Sequence, residues 1–176
     1  MQIDLHDASS LAQIWEYGLL GASADGADAF ARRAVRLVPG VSAALALTTV
    51  GERPWIVAAA GRAEARVREA APFMTRLAEA RRALVVPDVA IASASVSRTT
   101  VRPRAALRFL AGAPLFDERA AVVGALCLFD ERPGAPLAPD TADALCALAK
   151  EAGDWLIRRR AERRGLVDIG VARAAA

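Results

Sequence analysis

Residues 107–130 read Leu107-Arg108-Phe109-Leu110-Ala111-Gly112-Ala113-Pro114-Leu115-Phe116, Asp117-Glu118-Arg119-Ala120, Ala121-Val122-Val123-Gly124-Ala125-Leu126-Cys127-Leu128-Phe129-Asp130. Two apolar runs flank a polar tetrapeptide in which Asp117, Glu118 and Arg119 are charged. This pattern predicts a β-hairpin with a four-residue connection. The second run is apolar at nearly every position, so both of its faces must be covered. That suits a strand in the middle of a sheet and not one at its edge.

Outward from the hairpin the other elements follow by period and punctuation. Upstream, Val41–Val50 and Trp55–Ala60 are β-rich runs separated by Gly51-Glu52-Arg53-Pro54, a second hairpin. Leu84-Val85-Val86 is a short strand closed by Pro87-Asp88. Residues 8–20 carry Leu11, Ile14, Trp15 and Leu19 on one helical stripe. A second helix is expected from the start signals Ser23, Asp25 and Asp28 to about Val38, where Pro39-Gly40 stops it. Residues 63–70 and 72–81 read as helical, with Pro72 suited to a first turn. Residues 90–104, rich in Ser, Thr and Arg, form the longest loop. Downstream, Pro133, Gly134, Pro136 and Pro139 make a break. A long helix follows from about Asp140 to Arg163, with Leu145, Leu148, Ala152, Trp155 and Leu156 as its stripe. The order helix, helix, hairpin, helices, strand, loop, hairpin, helix predicts an α+β fold with an antiparallel sheet. The expected division is an N-terminal segment at 1–8, one domain at 9–163 and a flexible tail at 164–176.

Composition narrows the function. The chain has 176 residues, 55% of them apolar, enough for one domain with a core. No apolar run approaches the ~18 residues that span a bilayer. Met1–Asp7 lacks the basic start of a signal peptide. A cytoplasmic protein without membrane contact is expected. A net charge of +3 is too small to argue for nucleic acid. The chain has a single histidine, His6, and two cysteines, Cys127 in the apolar hairpin and Cys146 in the long-helix stripe. That inventory predicts no metal site, no haem and no other cofactor. No phosphate loop, nucleophile elbow or acid/base pair is visible, and no enzyme is expected.

Three segments together resemble the GAF family of bacterial sensory domains. Leu84–Val89, "LVVPDV", is similar to the family's "LVVPDA". The hairpin "RFLAGAPL…GALCLFD" is similar to "RFYAGAPL…GTLCVID". Its continuation "DERPGAPLAPDTADALCALA" resembles "DTRPRELSPEE…L..LA". The likeness covers roughly residues 9–160. It implies a GAF-like antiparallel sheet flanked by helices, with the N- and C-terminal helices on one face. Within the resemblance, Met74 stands where many members have cysteine. The two cysteines do not match bilin-attaching or sulfoxide-reducing members, and no Asn-Lys precedes "LFDER" as in cyclic-nucleotide binders.

By the same resemblance, a pocket over the sheet draws on Phe73, Met74, Asp88, Arg108 and Phe109, with Ala90–Arg104 as a lid. Arg108 is the pointed candidate, because its planar fork can grip a carboxylate or phosphate. The alternative for Arg108 is a strand-start side chain reaching solvent or pairing with Asp88. Phe73, Met74, Phe109 and Cys127 can equally be core. Two functions are expected: a ligand-sensing regulatory domain that binds an unidentified small molecule and acts through a signalling partner, or a ligand-free fold serving as a dimerising adaptor. The 3-4-3 spacing of Leu145, Leu148, Ala152 and Trp155 suits a homodimer seam through the terminal helices; packing on the chain's own sheet is the alternative.

Overall fold

The computed structural model describes residues 14–17, 19, 26–47, 54–61, 64–91 and 107–174. The elements are α1 (Ala27–Leu37), β1 (Ser42–Leu47), β2 (Trp55–Ala60), a 3-10 helix (Glu64–Ala70), α2 (Ala71–Ala80), β3 (Leu84–Val86), β4 (Phe109–Phe116), β5 (Val122–Asp130) and α3 (Pro139–Ala174). Ile14–Glu16 are helical and precede α1. Tyr17 and Leu19 are described and not helical, and Ala90 and Ile91, the start of the expected 90–104 loop, are helical; residues 8–13, 18 and 20, the turn at 51–53 and residues 92–104 lie outside the described residues.

One five-stranded sheet has the order β2-β1-β5-β4-β3, and every pair is antiparallel. The all-apolar run is therefore the central strand, as its composition requires. In the β4–β5 turn the Asp117 amide donates to Ala121 O at 2.9 Å. The Asp117 carboxylate accepts from the Arg119 and Ala121 amides at 2.9 and 2.8 Å. Ala120 takes the left-handed conformation at φ 58°, where turns of this kind ordinarily place glycine. The aspartate's two backbone bonds hold the turn without one.

The two faces of the sheet differ in residue size. Leu45, Leu47, Leu115, Leu126 and Leu128 point toward α1 and α3 and pack with Phe30, Leu145, Leu148 and Leu156. The other face shows Ala44, Ala46, Ala125 and Cys127, with Leu110 and Phe129 toward one end, to the 3-10 helix and α2, which cover it with Val67, Ala70, Phe73, Met74 and Leu77. Gly112 belongs to that second face: a methyl group there would stand 2.7 Å from Leu77 Cδ1. Small strand residues thus let α2 sit close to the sheet.

The helical reading of 63–70 holds, as a 3-10 helix over 64–70. Its buried side chains Val67 and Ala70 are three apart, the period at which a 3-10 helix stacks residues. The C-terminal helix does not end near Arg163 but continues to Ala174, 36 residues in all. The tail contains no proline, and once a helix is nucleated each further residue adds one backbone hydrogen bond. Finally, the stripe expected to serve a dimer seam is covered within the chain. Leu145, Leu148, Ala152 and Leu156 are each at most 3% exposed, and Trp155 packs tilted on Phe30 at 5.9 Å. Cys146, placed on that stripe from the sequence, is exposed, because the buried line runs along its neighbour Leu145.

Candidate functional site

Of the five residues expected to line a pocket, the structure joins two. Asp88 follows β3 and Arg108 precedes β4, and the β3–β4 pairing brings the two strand ends together. The Arg108 guanidinium donates Nε–H to Asp88 Oδ1 at 2.8 Å and Nη2–H to Oδ2 at 2.6 Å. This is a bidentate fork on a carboxylate. Asp88 also accepts the Ala90 amide at 2.9 Å, which caps the short helical turn that starts at Val89. The Arg108 guanidinium, helped by the Ala90 and Ile91 amides, holds the Asp88 carboxyl below the ordinary carboxylate range. The expected grip on an outside anion is therefore already occupied on one edge by the chain's own acid.

Phe73 and Met74 lie on α2 and are 4% and 3% exposed. They fill the layer between α2 and the small-residue face, and neither borders a described cleft. Phe109 does not join them, and here the expectation fails. Side chains alternate along a strand, so Leu110 points toward α2 while Phe109 points to the leucine face with α1 and α3. Cys127 is core as expected, and burial pushes its thiol up to about 12.

A wider opening lies elsewhere. A cleft of about 610 Å3 runs past the end of β5, bordered by Val35, Val41, Leu107 and Phe129 on its apolar side and by Arg66, Asp130, Glu131 and Arg132 on its polar side. A second cleft of about 440 Å3, which Phe109 borders, shares Val41, Asp130 and Arg132 with the first. The two openings are thus separated by the Asp130–Arg132 pair. Three ions are tightly arranged: Arg66 Nε is 2.5 Å from Glu131 Oε1, and its Nη1 is 3.2 Å from Glu69 Oε1. Asp130 is only 17% exposed at its side chain and accepts the Arg132 amide at 2.8 Å. Burial pushes its carboxyl up, but the amide and guanidinium of Arg132 outweigh this and leave it below the ordinary range. Arg132 is held loosely. Its side chain is 79% exposed, and its guanidinium stands 3.4 Å from each Asp130 oxygen.

Sequence reasoning missed Arg66, Asp130, Glu131 and Arg132 as site residues. The available signal was the charged triplet that ends an otherwise apolar strand. Among the described residues no group of three or more His, Cys, Asp and Glu is arranged to hold a metal. No described helix is long and apolar enough to cross a membrane.

No family model and no curated protein matches the chain. Solved structures do. A GAF domain of an Acinetobacter phosphoenolpyruvate-protein phosphotransferase superposes with TM-score 0.61 at 12% identity, covering 91% of this chain and 97% of that one. The photoproduct state of a GAF domain from Synechocystis gives 0.63 at 11%, with 81% and 98% covered. A domain assigned to a two-component sensor histidine kinase of Sinorhizobium meliloti gives 0.58 at 17%, with 81% and 96% covered. These likenesses span nearly the whole of each compared domain and match the sheet and helix layers described above: the chain has the GAF fold.

Proposed function

We propose that the protein is a non-catalytic sensor domain that binds a small molecule and passes its occupancy to a partner protein. The observation that carries this reading is the cleft of about 610 Å3 at the end of β5. It combines an apolar floor with a few convergent charged groups, the general make-up of a small-molecule site. Domains of the same fold occur in a protein assigned as a sensor kinase and in one captured as a photoproduct, which supports a signalling role. In this reading Arg108 braces the ends of β3 and β4 through Asp88 and is not the ligand grip. The Arg108 amide donates to Asp130 O at 2.8 Å, so the brace is tied directly to the cleft rim. Native mass spectrometry of protein purified from its own host tests the proposal. A retained small molecule that leaves on mild activation is expected. A bare chain mass at every activation energy would overturn it.

The length of α3 favours a second reading, a ligand-free adaptor that dimerises. Its 36 residues extend about 54 Å at 1.5 Å per residue. Its last fully buried described side chain is Leu156, so the distal turns reach past the sheet and can pair with a second copy. Sedimentation as a monomer at high micromolar concentration would remove this reading.

A further inference from the structure

The cleft's charges are unequally committed, and the inequality points to a ligand class. Arg66 and Glu131 satisfy each other at 2.5 Å, with Glu69 behind them. Asp130 and Arg132 face each other at 3.4 Å, beyond the 2.7–2.9 Å of a good charge-assisted bond. Arg132 is free to swing, being 79% exposed, whereas Asp130 is anchored on the strand end by the Arg132 amide. An anion alone would meet Asp130 and Glu131 beside its arginine. A cation alone would meet Arg66 and Arg132. A molecule with both charges on neighbouring atoms satisfies both members of the loose pair and replaces one poor contact with two good ones. The apolar residue that borders both clefts beside the pair is Val41, with Leu37, Val38 and Leu137 further along the second cleft, and these suit a short hydrocarbon.

We propose that Asp130 and Arg132 are the head-group site for a small apolar α-amino acid. The Arg132 fork takes the carboxylate, the Asp130 carboxylate takes the ammonium, and the side chain lies along Val41. This rests on the sensing reading and names its ligand class.

Titration calorimetry of the full chain with L-leucine, N-acetyl-L-leucine and 3-methylbutylamine tests it. The acetyl compound lacks the ammonium, and the amine lacks the carboxylate. L-Leucine is expected to bind at least ten-fold more tightly than either. Arg132→Gln and Asp130→Asn are each expected to weaken L-leucine about ten- to hundred-fold, the loss of one charge-assisted contact. The exposure of Arg132 means that its variant isolates recognition from folding, and an unchanged Tm without ligand verifies this. Equal binding of all three compounds, or full binding by Arg132→Gln, overturns the proposal. If L-leucine, L-valine and L-phenylalanine all fail to bind while native mass spectrometry finds another retained molecule, the ligand class is wrong and the sensing role stands. If nothing is retained either, both fall.

Discussion

Replacing Gly124 by alanine tests how tightly β1 and β5 are joined. The two strands pair with Leu47 opposite Gly124 and Ala46 opposite Ala125. A methyl group on Gly124 would lie 2.3 Å from Ala46 O and 3.1 Å from Leu47 Cα. Both obstacles are backbone, so no rotamer change relieves them. Restoring ordinary contact requires the strands to part locally by about 1 Å, which stretches two or three ladder hydrogen bonds at ~1 kcal/mol net each. Alanine returns about 0.5–1 kcal/mol through the lower entropy of the unfolded chain. The balance is a loss of about 2 kcal/mol, or roughly 4–8 °C in Tm for a chain of this size. Gly112→Ala meets the Leu77 Cδ1 tip at 2.7 Å, a side chain that can shift, and should cost only about 1 kcal/mol. At Gly165 nothing stands within 4 Å, so alanine there should raise helicity. Urea unfolding followed by circular dichroism measures all three. A Gly124→Ala protein as stable as the wild type, with an unchanged m-value, would refute the close approach of β1 and β5.

Four further outcomes are expected. Asp88 is held below its ordinary range when folded, so its contribution is present above the unfolded carboxylate pKa and fades as pH falls through the folded one. Asp88→Asn should therefore lower Tm at neutral pH, and the gap to the wild type should close below about pH 4; a gap independent of pH would contradict this. A thiol reagent at pH 8 should label exposed Cys146 first, more slowly than a free thiol because partial burial and Asp143 push it up, and leave Cys127, pushed to about 12, unreacted until the protein unfolds, as intact mass over time will show. Arg160 touches Glu16 and Glu118 and lies over the Tyr17 ring. Arg160→Ala should cost about 1–2 kcal/mol, little of it from the half-exposed carboxylates, and expose the 14–17 segment to protease. Gly153→Val should destabilise by about 1–3 kcal/mol, since even a Cβ would meet Phe116 O at 2.9 Å; calorimetry reads it.

Much of the fold was legible because it rests on local patterns. The Trp55–Ala60 run is a strand over just those residues. The apolar Val122–Asp130 run lies inside the sheet because an interior position covers both its faces. Phe109 was misplaced because hydrophobicity marks it as buried without saying on which side, and a shift of one residue reverses the face. The covering of the α3 stripe was open for a similar reason: a 3-4-3 pattern fits a partner helix and the chain's own sheet alike. The cleft was hidden because it is assembled from pieces remote in sequence. Arg66 comes from the 3-10 helix, Leu107 from a strand entry and Asp130–Arg132 from a strand exit. Each is an unremarkable loop-edge residue until the strand ends are drawn together.

The unequal faces of the sheet also set where the molecule loosens first. Apolar burial contributes roughly in proportion to area. Three alanines and a cysteine under α2, with Leu110 and Phe129 as the larger strand side chains there, give that layer less adhesion than five leucines give α1 and α3. Amide protons of α2 and the 3-10 helix should therefore exchange through small openings that leave β1, β5 and the proximal part of α3 protected. Breathing is then one-sided. The layer that carries Arg66 can part from the sheet and readmit solvent to the cleft, while the opposite layer stays shut and keeps the fold intact.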